Sequence, residues 1–501
     1  MKRPYIILAL ILLLLSNSLW AQNTKQQKKP NVLMIIADDM NGFGVNKIYP
    51  VVQTPHLDKL AKESINFKNA VCNSPVCNPS RSSFFSGLYP HTSGSYLNGS
   101  DAWNRSEKVK AIKSLPECFK ENGYETWGRG KLTHSPVPEE RKQQMWDNSL
   151  ARNGGFGPFP EDQQYWYGGN KFKSVKAYED DQVFPDVWNA DSAVVFLERE
   201  HKKPFFMCYG LWRPHSPYTA PKRFFDLYNE EELTLPATHQ KGDLDDVPFL
   251  GRMLVDSLKN FQGSEENPDA LVKKFLYGYA ANTSFADWNI GRVLEALDKS
   301  EYADNTIVIL FSDNGFHAGS KQRWGKATLW DMADIVPMLV RMPDKKGSVS
   351  NATVSLVDLY PTLVEYCGIS KPAQQMDGQS FHYLLENPNA KWDRPSFTSY
   401  GIKYSSVRSE QYRYIQYPNG TQELYDLKQD PYEFENIVEK SDMKEVIEYH
   451  QQFIPEKWAE STGGRLEVNR DFDEVMRELT PLHRAYGKKS KKKNKRKEKQ
   501  K

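Results

Sequence analysis

Residues 31–39 read NVLMIIADD, an uninterrupted apolar run with two carboxylates set directly behind it. A run of this length suits a strand buried on both faces, as in a parallel sheet, and the acids then mark where the chain leaves the core. The pattern recurs. TIVILF (306–311) stops at Ser312, Asp313, Asn314 and Gly315, and PFFMCYGLW (204–212) stops at Arg213, Pro214 and His215. The weaker YETWG (124–128) leads into Arg129, Gly130, Lys131 and then His134. Between these runs lie helix-like segments: TPHLDKLAKES, with Thr54 as N-cap and Pro55 first in the helix, IKSLPECFKENG closing on Gly123, and a longer one over about 281–297.

Apolar strands alternating with amphipathic helices imply an α/β fold, a mostly parallel sheet covered by helices on both faces. Ligands of such sheets collect at the carboxyl ends of the strands. Four strands here deliver polar groups to that one edge. The chain changes character near Pro395, after which residues 396–436 read as short antiparallel strands, with Asn419 and Gly420 forming a hairpin turn. The expected organisation is a signal peptide over 1–21, an α/β domain over 22–394, and a smaller C-terminal subdomain over 395–486. That subdomain holds short antiparallel strands and a terminal helical segment, and a basic tail over 487–501 follows it.

The 501 residues, 39% of them hydrophobic, suffice for a large core. Lysine and arginine total 66 against 64 acids, a formal charge of +2, so no global field points to nucleic acid or a membrane surface. The balance hides a local extreme: GKKSKKKNKRKEKQK from Gly487 is almost wholly basic, a composition expected to stay solvated. At the other end, MKRPYIILALILLLLSNSLWAQ has a basic start, a short apolar run and a polar stretch, the layout of a cleavable secretory signal. The chain is therefore expected to be secreted or periplasmic, without a stable membrane anchor. Its five cysteines, Cys72, Cys77, Cys118, Cys208 and Cys367, are too few and too scattered for a disulfide framework.

Asp38, Asp39, Asp313 and Asn314 together offer three carboxylates and an amide oxygen at the same sheet edge, a donor set suited to a hard cation such as Ca²⁺ or Mg²⁺. Lys131, His134, His215 and Lys326 bring cations or their precursors to the same region and would suit a polyanion. The fifth element is VCNPSRSSFFSG (76–87). Pro79 suits the first turn of a helix, which sets Cys77 at the helix N-terminus with Arg81 one turn along. Three readings fit a cysteine there: a place that favours a bound anion or anionic intermediate, a small buried hydrophobe, or a thiolate of depressed pKa.

CNPSRSSFFSG resembles the signature of the type I sulfatases, in which the cysteine is oxidised after translation to formylglycine. NVLMIIADDM resembles that family's first strand with its metal-binding Asp pair, GRGKLTH its Lys-x-x-His segment, RPHSPY its Pro-His-x-Pro segment, and FSDNGFHAGSKQRWGK its Asp-Asn pair with downstream lysine. The similarity runs in order from about residue 31 to 436 and looks closest to the iduronate-2-sulfatase-like branch. It implies an alkaline-phosphatase-like fold and one Ca²⁺ held by Asp38, Asp39, Asp313, Asn314 and modified Cys77. It also implies a hydrated aldehyde at residue 77 as nucleophile, stabilised by Arg81. Lys131, His215 and Lys326 would hold the sulfate, His215 or Lys326 would protonate the leaving alcohol, and His134 would take a proton from the nucleophile. A formylglycine-generating or anaerobic sulfatase-maturating enzyme is the implied partner in biogenesis.

The implied substrate is a sulfated carbohydrate, and Trp103, Tyr165, Trp166 and Tyr167 in aromatic, glycine-rich loops either stack on its sugar rings or pack their own loops. His317, Lys321 and His91 are further expected substrate contacts. Ser86 stands where the family pattern usually has threonine, and Ser320 where relatives often have glutamate. The competing readings are a phosphate or phosphonate monoester hydrolase on the same scaffold, and a polysaccharide-binding protein with a dead site.

Overall fold

The computed structural model describes residues 29–150, 154–255 and 268–464. The expected signal peptide, the basic tail and the end of the expected C-terminal subdomain lie outside the described residues. Among the described residues no helix is long and apolar enough to cross a membrane.

In chain order the strands are β1 (Asn31–Asp38), β2 (Ile65–Phe67), β3 (Glu125–Gly130), β4 (Asn148–Leu150), β5 (Val175–Tyr178), β6 (Phe205–Pro214), β7 (Tyr218–Pro221) and β8 (Thr306–Ser312). They continue with β9 (His317–Ala318), β10 (Trp324–Gly325), β11 (Met338–Arg341), β12 (Ser348–Ser350), β13 (Ser396–Ser399), β14 (Ser405–Arg408), β15 (Tyr412–Gln416) and β16 (Gln422–Asp426). The main sheet has eight strands in the order β12-β2-β11-β8-β1-β6-β3-β4. β1 pairs in parallel with both β6 and β8, and β3 in parallel with β6, whereas β11 runs antiparallel to its neighbours β8 and β2. The sheet is thus mostly parallel.

β1 shows why an unbroken apolar run is required. Val32, Met34 and Ile36 face one core, while Leu33, Ile35 and Ala37 face the other. The first core lies under helix α1 (Cys77–Ser86) and helix α2 (Leu115–Glu121), the second under helix α3 (Pro185–Glu198) and helix α4 (Pro268–Lys299). At the start of α2 the Ser114 amide donates to the Glu117 carboxylate. The helix over Pro55–Glu63 starts where its sequence implies, but Thr54 makes no side-chain cap bond. Asp287 of α4 instead accepts the His56 and Leu57 amides at 3.2 and 2.7 Å. α4 is almost twice as long as the 281–297 segment expected. Its N-terminal extension passes β7 closely because Gly278 has no Cβ, which would stand 2.6 Å from Tyr218.

β13 to β16 form an antiparallel four-stranded sheet with the turn at Gly420 in the left-handed region, φ +89°. Buried Arg413 of β15 ties this sheet to the main body through Asp331 and Asp334, and pairs within its own subdomain with Glu433. All five cysteines are free and buried.

At the site edge two glycines permit a contact that side chains would block. The Lys131 amide donates to the Gly210 carbonyl at 3.0 Å, and a Cβ on Gly130, φ +76°, would stand 1.8 Å from that oxygen. Gly123, φ +86°, has open space around it. Gly123→Ala should therefore cost only its backbone strain, about 1 kcal/mol, and Gly130→Ala about 3 kcal/mol or more. Urea unfolding of both variants measures the difference, and equal losses would contradict the contact.

Candidate active site

The carboxyl ends of β1, β8, β3 and β6 meet the N-terminus of α1. β1 and β8 pair in register up to Ala37 opposite Ser312, so Asp38 and Asp39 must neighbour Asp313 and Asn314. Cys77, first residue of α1, sets its Sγ 3.2 Å from Asp38 Oδ1 and 3.9 Å from Asp39 Oδ1. Ligand atoms of Asp38, Asp39, Cys77 and Asp313 all lie within 4.8 Å of one another. These residues and Asn314 are at most 2% exposed. Asn314 Nδ2 donates to Asp39 Oδ1 at 2.8 Å, and its buried Oδ1 has no hydrogen-bond partner. Three converging buried carboxylates and an orphaned amide oxygen fit a hard divalent cation.

The nearby cations are placed by different elements. Arg81, one turn along α1 and 1% exposed, donates from Nε to Asp313 Oδ2 at 2.7 Å and from Nη1 to the carbonyls of Lys131 and Leu132. It locks the acid of β8 to the end of β3. Lys131 binds Asp38, and Lys326 binds Asp39 while its Nζ lies 2.7 Å from Cys77 Sγ. His215 Nε2 lies 3.6 Å from Asp39 Oδ2, and its Nδ1 is 2.6 Å from the Ser216 carbonyl.

These charges set the protonation pattern. Burial alone would raise the Asp38 carboxyl, but Lys131 and then His215 outweigh it and hold the group below the usual range. Asp39 is held low in the same way, burial being outweighed by Lys326 and then His215. Burial would depress Lys326, yet Asp39 above all keeps it well above its ordinary value. Burial, followed by Lys131 and Lys326, pushes half-buried His134 down to about 2, so the ring is neutral. Burial, then Asp313 and Asp38, push the Cys77 thiol well up, outweighing Lys131 and Lys326, which disfavours the thiolate role.

Other expected contacts lie elsewhere. His317 is fully buried and spends both ring nitrogens, on Ser320 Oγ and Thr328 Oγ1 at 2.6 Å each. Lys321, 1% exposed, is paired with Asp243 at 2.6 Å and bonded to the Glu433 carbonyl. Both are structural anchors, so neither has an atom to offer a substrate. His91 stacks on Tyr89 and meets Phe397 and Trp458 beyond the far end of α1, away from Cys77. Trp103 is 2% exposed beneath Arg141, Lys176 lies over Tyr165, the Trp166 indole bonds the Pro160 carbonyl, and Tyr167 packs on Phe275. One half-buried aromatic ring that borders the site is Phe156, 4.3 Å from the His215 ring and 4.8 Å from Lys131 Nζ. Its only sequence signal is its place in the GGFGPFP loop.

Two family models match the chain: Sulfatase over residues 30–369, and the C-terminal part of N-sulphoglucosamine sulphohydrolase over 319–458. A sulfatase of Formosa agariphila is 35% identical over 90% of this chain and 92% of its own length. An ulvan-active sulfatase of the same organism is 30% identical over 83% of this chain and 78% of its own. Among solved structures, a protein in complex with its substrate D-glucosamine-2-N,6-O-disulfate superposes with TM-score 0.65 and 21% identity. The match covers 85% of this chain and 96% of that one.

If the acidic cluster holds a divalent cation, Ca²⁺ at 100 times its dissociation constant should stabilise the protein by about 2.7 kcal/mol. Thermal unfolding with and without Ca²⁺ measures this. Asp39→Ala should abolish the increment, and an unchanged increment would contradict the assignment.

Proposed function

The chain belongs to the sulfatase family and is a sulfuric ester hydrolase of alkaline-phosphatase-like fold, and from that premise we propose that it removes sulfate from a sulfated carbohydrate, using formylglycine at position 77 and Ca²⁺. The observation that carries the reading is the convergence of Cys77 on Asp38, Asp39 and Lys326 at the N-terminus of α1. The ulvan-active relative supports a carbohydrate substrate. The Cys-x-Pro-x-Arg segment supports maturation by a formylglycine-generating or anaerobic sulfatase-maturating enzyme, and the 1–21 segment supports export to the periplasm or beyond.

Asp38, Asp39, Asp313 and Asn314 would hold the cation beside residue 77. Matured and loaded, the two groups supply a hydrated aldehyde as oxygen nucleophile and a fixed positive charge against the sulfate. The rest falls to this chain's own side chains. Lys131, Lys326 and His215 replace the water that the sulfate oxygens lose with donors already in place. Lys326 Nζ gives the proton to the departing alcohol oxygen, or His215 Nε2 does so from the imidazolium form, since Nδ1–H already faces the Ser216 carbonyl. His134, kept neutral by burial and its cationic neighbours, would take the nucleophile's proton once the sulfate's charge offsets those cations. Arg81 acts through Asp313 and the Lys131 carbonyl, keeping both walls of the site in register.

Matured protein should cleave 4-nitrophenyl sulfate faster than 4-nitrophenyl phosphate, and Cys77→Ala should lose about 10³-fold or more in kcat. Faster phosphate cleavage would favour the phosphoesterase reading. Full activity in Cys77→Ala would refute the role of residue 77.

A further inference from the structure

The cations of the site border a strip of aromatic rings that the reaction does not use. Phe156 stands against His215 and Lys131. Phe172 follows at 5.7 Å from Phe156, and Phe159 lies 4.9 Å from Phe172 with Lys171 Nζ 4.7 Å over its ring. The three rings are half-buried and Lys171 is exposed, so the strip keeps apolar surface open to solvent beside a charged site.

The strip rests on fixed backbone. Buried Arg213 donates from Nη1 to the Phe156 carbonyl at 3.0 Å and from Nη2 to that of Gly157 at 3.2 Å. Thr219 Oγ1 donates to the Pro158 carbonyl at 3.0 Å, and the Trp166 indole to that of Pro160 at 2.8 Å. Asp186 accepts the amides of Trp212 and Arg213 at 2.8 and 3.0 Å and so holds the clamp itself. A surface ordered before any ligand arrives loses little entropy on binding.

Aromatic faces pack well on the C–H faces of sugar rings, and a lysine at the end of the row complements an anionic substituent. An ester whose sulfate is held between Lys131 and His215 has its alcohol carbons beside Phe156. We propose that Phe156, Phe172, Phe159 and Lys171 form a binding track for a sulfated oligosaccharide. The ring bearing the ester packs on Phe156, the next lies along Phe172 and Phe159, and Lys171 meets an anionic group beyond. The track rests on the carbohydrate reading above.

Phe159→Ala and Lys171→Ala test it in the full matured protein, since neither residue belongs to the reaction machinery. The substrates are 4-nitrophenyl sulfate, sulfated monosaccharides, and longer fragments of ulvan, carrageenan and glycosaminoglycans. Wild type should prefer a longer fragment to its monosaccharide. Each variant should lose about tenfold in kcat/KM on that fragment, mainly through KM, with aryl sulfate and monosaccharide unchanged. No preference in wild type, or an undiminished one in both variants, overturns the track alone. Aryl sulfate cleavage without turnover of any carbohydrate overturns the carbohydrate reading and the track with it, and no aryl sulfate cleavage overturns the sulfatase mechanism beneath both.

Discussion

Three carboxylates from two adjacent parallel strands, buried together, set the terms for everything around them. β1 and β8 are hydrogen-bonded neighbours whose ends coincide, so Asp38 and Asp39 cannot avoid Asp313. Like charges about 4 Å apart repel by about 4 kcal/mol per pair at an effective dielectric of ~20, and burial adds a desolvation cost to each. The chain offsets this with cations drawn from separate elements: Arg81 from α1, Lys131 from the end of β3 and Lys326 from the loop after β10. A divalent ion at the centre would complete the compensation and free both lysines to face a substrate anion.

Arg81 shows how economically the signature segment is used. One turn of α1 separates it from Cys77, so the cysteine points at the acids while the guanidinium bridges Asp313 to the carbonyls of Lys131 and Leu132. The sequence reading put Arg81 on the reacting group. Its hydrogen bonds also make it the brace between β8 and β3.

The strands and their polar ends were legible because a strand buried on both faces must be apolar throughout and can carry chemistry only where it stops. The four oxygen-bearing residues Asp38, Asp39, Asp313 and Asn314 followed from that, but their adjacency needed the β8-β1 pairing, which no local pattern states. Residues chosen by proximity in sequence fared worse. His317 and Lys321 follow Asn314 closely, yet the chain turns them inward onto Thr328 and Asp243. Aromatic composition did not single out rings by position: Trp103 is core, while Phe156, which no pattern marked, stands against His215. Long-range packing decides which way a side chain faces, and α4 illustrates the same limit, running well beyond its obvious amphipathic stretch.

The account stands on residue 77 being a precursor rather than a working thiol. Burial and two carboxylates push its thiol up in the unmatured chain, which favours the precursor role over a thiolate nucleophile. Mass analysis of the Cys77 peptide from active protein made in its native host is the most direct test. A mass about 18 Da below the thiol form is predicted, the signature of formylglycine. An unmodified cysteine in protein that hydrolyses sulfate esters at full rate would contradict it.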